Sequence, residues 1–422
     1  MTYFVVLLLC FAAVAKSFHN NHNPRLIVTP NKEPTAALFS TTFEEEAQQH
    51  QHDQQKEQED KEEKSIVSLL LWISYDGGRF TGWSSTKQEK ENQPVRGKQK
   101  KQKDGFVRSV QFAIQHRLAR VYGDIDVDQI VVEGTSRTDK GVHAQMAVAQ
   151  IYGLTSNWKD YYNDSNNVLS IPGKKLPHPN GAYDSNRNVF LPLPKDPSNL
   201  VFVLNKVLPH DISVRGYQLP TFLEDNSSCD TPFHPSHDAV RKTYNYTFSL
   251  GPIHDPTLWR NTWYIRNYPQ ERWNVSLVEE ACQFLEGDNE HTCFDFRAFR
   301  GAPRGKDDQI RFAKQSTLCS LHRVFIEQSD HDNGTMNCPI PGITSYCLSF
   351  TGDRFLYKMV RFLVGALVDV GRGKLSLEAF KTAVMHQSFP EGYQKSECAP
   401  AHGLSLVEID FGDKLDKESW KT

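Results

Sequence analysis

The chain has 422 residues, 38% of them hydrophobic and 11% aromatic, which is enough apolar material for two core-forming units and too much for one small domain. Its formal net charge of -3 is unevenly spread: residues 1–64 carry 6 Lys/Arg against 10 Asp/Glu, and residues 65–422 carry 42 against 41. A body so close to neutral excludes a uniformly basic surface, so any affinity for a polyanion must come from local clustering.

The apolar run Tyr3–Ala15 ends in Ala13-Val14-Ala15, the small-residue pattern of a signal-peptidase site, and is too short to span a bilayer. Residues 1–18 therefore read as a signal-peptide-like leader; the missing basic n-region leaves an apolar presequence of mitochondrial or other type as the alternative. From His19 to Lys64, Arg25 and Lys32 among Ser, Thr and Pro give way to the Glu/Gln-rich stretch Glu44–Lys64, a transit-like segment and linker without the apolar content to fold. The arrangement resembles the bipartite leaders of algae with secondary plastids, with Phe18 near the cleavage point. It predicts delivery to an organelle, a plastid first, with mitochondrion or cytosol and nucleus as alternatives, and no stable membrane association. The sequon Asn245-Tyr-Thr247 is lodged in a candidate substrate-binding segment around Tyr244, which argues against permanent residence on the secretory side.

Ile66–Tyr75 is a β-rich apolar run that breaks at Asp76-Gly77-Gly78. The basic stretch Ser84–Asp104 reads as an inserted loop before an amphipathic helix over Ser109–Val121. Ile130–Val132 predicts a short strand, Glu133–Gly141 a turn and Ala144–Ile151 a second strand. Gly153–Ser198 lacks periodicity and reads as a surface insertion, followed by a short helix at Leu200–Leu208. In Arg241–Leu250 the spacing of Tyr244, Tyr246 and Phe248 puts three aromatics on one face of a strand. Val275–Gly287 predicts a helix, Cys347–Phe350 a strand, and Phe355–Gly371 a long apolar helix. The pattern is α+β.

Eight cysteines, at 10, 229, 282, 293, 319, 338, 347 and 398, form no C-x-x-C pair and no cysteine–histidine pattern at zinc-ligand spacing. They predict neither a metal site nor a disulfide framework, and favour a reducing compartment. The densest polar segment is Glu133–His143, where Arg137 and Asp139 lie two residues apart in a glycine-bounded turn. Such a turn either displays a nucleophile or base on a rigid scaffold, or is a solvated turn held by its own Asp and Thr hydrogen bonds. Arg354, Lys358 and Arg361 are spaced to share one helical stripe, either as an ordinary wet face or as a track for an anion. Arg361 differs in its apolar neighbours, Val360, Phe362 and Val364, which predict a partly buried head that needs an anionic partner. Tyr244 and Tyr246 serve as core or as a base-stacking face, and Phe294–Phe299 carries the same ambiguity. Gly371-Arg-Gly-Lys374 reads as a helix C-terminus with basic residues against the dipole.

Five segments in order resemble the TruA family of tRNA pseudouridine synthases: Ser74-Tyr-Asp-Gly-Gly-Arg-Phe-Thr-Gly-Trp83, Ser136-Arg-Thr-Asp-Lys-Gly-Val-His-Ala144, Arg241-Lys-Thr-Tyr-Asn-Tyr246, Phe355-Leu-Tyr-Lys-Met-Val-Arg-Phe-Leu-Val-Gly365 and Ala399-Pro-Ala-His-Gly-Leu-Ser-Leu406. The resemblance covers about residues 65–412. It implies an α+β fold of two subdomains, 65–225 (with insertions 84–104 and 153–198) and 230–412, before a tail at 413–422. Each subdomain would have a mixed, largely antiparallel sheet backed by helices, with a basic cleft between them. It further implies a homodimer acting without cofactor or metal on tRNA, isomerising uridine in the anticodon stem-loop (positions 38–40). Carried over by motif, Asp139 is the catalytic nucleophile and Arg361 its partner, Tyr244 stacks on the target base, Arg137 holds the flipped-out nucleotide and Leu404 lines the pocket on the wall opposite Tyr244. Lys140 departs from the Ala of many members. A non-catalytic RNA-binding relative and a synthase for other RNA are the competing readings; the intact Asp139, Tyr244 and Arg361 argue against the first.

Overall fold

The computed structural model describes residues 66–84, 109–124, 126–154, 191–192, 196–218, 233–266, 273–286, 292–303, 305–329, 342–415 and 420–421. The leader, the linker and the bulk of both insertions lie outside these residues.

The first strand, β1 (Ile66–Tyr75), has Leu69, Leu70 and Leu71 all fully buried, so both faces of its sheet are covered there. Its neighbours are β3 (His143–Leu154) on one side and β5 (Ile212–Gln218) on the other, both antiparallel. Short strands β2 (Val132–Gly134) and β4 (Leu191–Pro192) add to β3. Helix α1 (Val110–Val121), whose first turn is capped by the Ser109 hydroxyl, packs on β2 and on α2 (Ser198–Val207), and α2 lies on β5.

The second half is built on β6 (Arg241–Gly251), whose partners are β11 (Thr344–Gly352) and β12 (Leu404–Asp410), both antiparallel, with β10 (Leu321–Ser329) beyond β11 and the short β7 (Trp263–Arg266) parallel to β6. Helix α3 (Val275–Glu286) packs on β10 and on α5 (Met359–Gly371), and α6 (Leu377–Met385) on both helices. A two-stranded ribbon, β8 (Phe294–Asp295) with β9 (Leu318–Cys319), flanks the polar helix α4 (Lys306–Lys314).

The halves meet at a seam. Strand β12 pairs in parallel with β3 through Ser405↔His143 and Leu406↔Ala144, so the two strand sets form one ten-stranded sheet in the order β10-β11-β6-β12-β3-β1-β5. A mixed sheet of this size, with helices and a small second sheet, is the α+β architecture that the resemblance implies, with the two subdomain sheets continuous.

Two local expectations change. The strand predicted at Ile130–Val132 starts two residues later, because a 3-10 turn at Val127–Gln129, capped by Asp126, holds Ile130 outside it. The helix predicted from Phe355 starts at Met359. Lys358 is left-handed (φ 59°), and the Asp353 carboxylate, accepting from the amides of Ser320 and Arg354, holds the preceding residues in a turn. Arg354 and Lys358 therefore do not share a helical stripe with Arg361. Phe296 and Phe299 are fully buried, which resolves that cluster as core, and α5 ends at Gly371 with Gly373 at φ 69°, as a glycine-closed terminus. Among the described residues no helix is long and apolar enough to cross a membrane.

Candidate active site

The segment between β2 and β3 is a turn pinned from several sides. Thr135 donates from its amide to the Val148 carbonyl (3.1 Å), and Val142 donates to the Asp139 carbonyl (3.1 Å). Thr138 points into the core, where its hydroxyl meets the Tyr75 hydroxyl at 2.8 Å and its carbonyl accepts from the Trp83 amide at 3.1 Å. Gly82, at φ 118°, is packed so closely on this turn that a Cβ there would sit 2.7 Å from the Thr138 carbonyl oxygen. The turn aims Ser136, Arg137 and Asp139 elsewhere than the core. Ser136 meets the Tyr244 hydroxyl at 2.7 Å, Arg137 is exposed, and Asp139 is partly buried.

Arg361 reaches the same place from the first turn of α5. Its Nη1 donates to Asp139 Oδ2 at 3.3 Å, and its Nε to the Ala399 carbonyl at 2.7 Å, while its own carbonyl accepts from the Ala399 amide at 3.1 Å. Side-chain exposures of 13% for Arg361 and 21% for Asp139 place the pair where water screens it only partly, so each charge depends on the other. The approach of the 396–399 segment requires Gly365, since a Cβ there would lie 2.0 Å from the Glu397 carbonyl oxygen.

Around this pair lies an open cavity of about 550 Å³, lined among others by Arg137, Asp139, Lys242, Tyr244, Arg361 and Leu404, a volume that accommodates a nucleotide. All five residues singled out in the sequence border it. Leu404 is not opposite Tyr244, however. In the β6–β12 register Tyr244 faces Leu406 and Leu404 lies two residues along, so Leu404 and Tyr244 share one sheet face. Tyr244 is 7% exposed and its ring meets Phe355 edge-on at 5.0 Å. Burial, with a smaller push from the Asp139 charge, raises its phenol to about 12 against the opposing Ser136 hydrogen bond, so it is a neutral donor or acceptor at pH 7.

Several site residues escaped the sequence reading. Lys242, two residues from Tyr244 on the same strand face, lines the cavity, and burial pulls its ammonium down to about 8. Ser236 also lines it, on a segment that a contact between the His234 and Glu133 side chains ties to β2. Arg311, Phe312 and Gln315 of the α4 region form a further wall. The alternation of β6 could have pointed to Lys242, but α4 carries no apolar stripe that would have marked it. Among the described residues no group of three or more His, Cys, Asp and Glu side chains is placed to hold a metal ion.

Residues 281–412 match the family model of tRNA pseudouridine synthase. The chain is 25% identical over 341 residues to tRNA pseudouridine synthase A 1 of Protochlamydia amoebophila, covering 81% of this chain and 95% of that protein. It is 27% identical over 346 residues to tRNA pseudouridine synthase A of Chlamydia trachomatis (81% and 91%), and 25% over 347 residues to that of Thermodesulfovibrio yellowstonii (82% and 100%). The aligned length takes in both halves of the sheet and so both sources of the cavity's side chains. In motif order, and along four fifths of its length, the chain is similar to tRNA pseudouridine synthases.

Proposed function

We propose that the protein isomerises uridine to pseudouridine in the anticodon stem-loop of tRNA, with Asp139 as nucleophile. The observation that carries this reading is the Asp139–Arg361 contact at 3.3 Å inside a cavity that Tyr244 also lines. The reaction breaks the bond between N1 of uracil and C1′ of ribose, turns the base and joins C5 to C1′. The C5 proton is lost and N1 gains one, so substrate and product contain the same atoms and no external oxidant or reductant enters. Such chemistry needs a carboxylate beside the sugar or ring, a counter-charge for it and a surface for the freed base, and the base must leave its stack to arrive. Asp139, Arg361 and the Tyr244–Leu404 floor supply these in turn, and the exposed Arg137 is placed to hold the flipped nucleotide by its phosphate. Tyr244, kept protonated, can exchange a proton with the base through its hydroxyl.

The test is to map pseudouridine in total RNA, by compartment, in cells lacking the protein. Loss at anticodon-arm uridines of tRNA supports the reading, and loss only in other RNA removes the substrate claim. Assembly as a homodimer rests on the resemblance alone, and delivery to an organelle on residues 1–64; sedimentation of the purified protein and imaging of a fluorescent fusion to those residues test each.

A further inference from the structure

Pseudouridine formation removes the hydrogen at C5, so a uridine in this cavity needs a base to take it. Among the described residues that line the cavity there is no histidine, and Arg137, Arg311 and Arg361 are guanidiniums that keep their protons. Asp139 is the one carboxylate of the lining; it is bonded to Arg361 and assigned to the attack. The Tyr244 phenol, raised to about 12 and joined to Ser136, is not a phenolate near neutral pH. Lys358 lies toward the Tyr357 ring, 5.3 Å from its centroid. Lys242 is left.

Strand β6 sets its place. Two residues from Tyr244, Lys242 shares its sheet face about 7 Å along the strand, a span that a four-carbon stem covers. Its cross-strand neighbours, Gly352 of β11 and Ile409 of β12, bring no charge, and Phe355, Leu356 and Val360 give the cavity apolar lining. Burial in these surroundings lowers the ammonium from 10.5 to about 8. The group is protonated below that value and neutral above it, so about a tenth is free amine at pH 7, in the range that suits a general base. We propose that Lys242 is a further catalytic residue, whose neutral Nζ takes the C5 proton of the target uridine. The inference rests on the reading that Asp139 isomerises uridine in this cavity. When C5 has joined C1′ it still carries its hydrogen. The C5–H bond breaks and its proton passes to Nζ. Its electron pair forms the C5–C6 double bond while the N1–C6 pair returns to N1, which takes a proton from water. The ammonium then gives its extra proton to solvent, and the atoms balance.

The experiment uses the full chain and tRNA transcripts carrying ordinary or 5-deuterated uridine, followed through a single turnover at saturating enzyme from about pH 6 to 9. Wild type is compared with Lys242→Arg, which keeps the positive charge but cannot take the proton, and Lys242→Ala, which leaves room for an added amine. The wild-type rate should rise with pH and level off above about 8. Both variants should lose about 10²–10⁴ in rate, lack that rise and show a larger deuterium effect than wild type, because removal of the C5 hydrogen becomes the slow step. Ethylamine should restore part of the Lys242→Ala rate in proportion to its neutral form, a response that a structural or phosphate-binding lysine would not give. A Lys242→Arg rate within about tenfold of wild type overturns the proposal, since charge alone then suffices. So does a folded Lys242→Ala with an unchanged deuterium effect and no response to amine. If thermal melting shows that neither variant folds, the wild type decides, and a rate flat across the pH range overturns the proposal. The two readings fail separately: a wild type that makes no pseudouridine defeats the activity, and an active wild type matched by Lys242→Arg defeats only the base.

Discussion

Asp139, Arg361 and Lys242 show how residues of similar polarity are treated differently by one pocket. The first two offset each other at 3.3 Å. Lys242 is lowered by burial to about 8 from an ordinary 10.5. Between those values the unfolded chain holds a proton that the folded chain has released, so this residue's contribution to stability rises with pH across that window, and below about 8 its full burial penalty is present. Lys242→Met should therefore melt higher than wild type at pH 7, and the gap should close as pH rises from 8 toward 10. A gap that stays constant with pH would show that Lys242 is not the group under strain. The melting advantage should come with weaker RNA binding, the usual trade at a site that stores an unfavourable charge for its ligand. Arg361 was legible from its apolar neighbours, whereas Asp139, whose turn alone left two readings open, was singled out by the motifs that resemble the TruA family. Lys242 was not, because a lysine at a strand's start looks solvated until the strands on both sides of it are known.

At the scale of elements, β1 was readable from its continuous apolar run, and β6, α1 and α3 because each buries one repeating set of side chains. What local pattern did not reveal was where an element must start or what it meets. The long apolar helix was expected from Phe355, but Lys358 and Asp353 delay it to Met359, and that shift takes Arg354 off the helix. Strands β5, β10 and β12 and helices α4 and α6 passed unread. In α4 the composition is too polar for burial to announce it, and β12 is identified only by its pairing with β3 and β6. The contact between α5 and residues 396–399 yields a sharp test. Gly365→Ala should force this segment away from α5, costing about 1–3 kcal/mol and lowering turnover through Ala399 and Arg361. Gly305→Ala, where an added Cβ meets nothing within 4 Å, should melt like wild type. Equal melting and equal activity of the two variants would contradict the proposed route to Arg361.

Across the whole molecule the site depends on both halves of the sheet. Asp139 and Arg137 come from the turn entering β3, whereas Tyr244, Arg361 and Leu404 come from the second half, and the β12–β3 seam joins them. Pairing between residues so distant in sequence is invisible to local reading, which is why the common sheet was not legible. A near-neutral body with steep salt dependence follows from the same organisation, because the positive charge is concentrated at the cavity. Residues 1–64 carry too little apolar material to add a core, so a chain starting at Lys64 should be soluble and as active on tRNA as the full chain. A folded but inactive truncated protein would make the leader part of the enzyme.

The most direct test of the account is turnover by Asp139→Asn on a tRNA transcript, measured with RNA affinity on the same preparation. The amide keeps the size of the side chain and removes the charge proposed to attack. The account predicts unchanged folding, RNA binding within a few-fold of wild type and a fall in turnover of several orders of magnitude. Pseudouridine formation within about tenfold of wild type would contradict it.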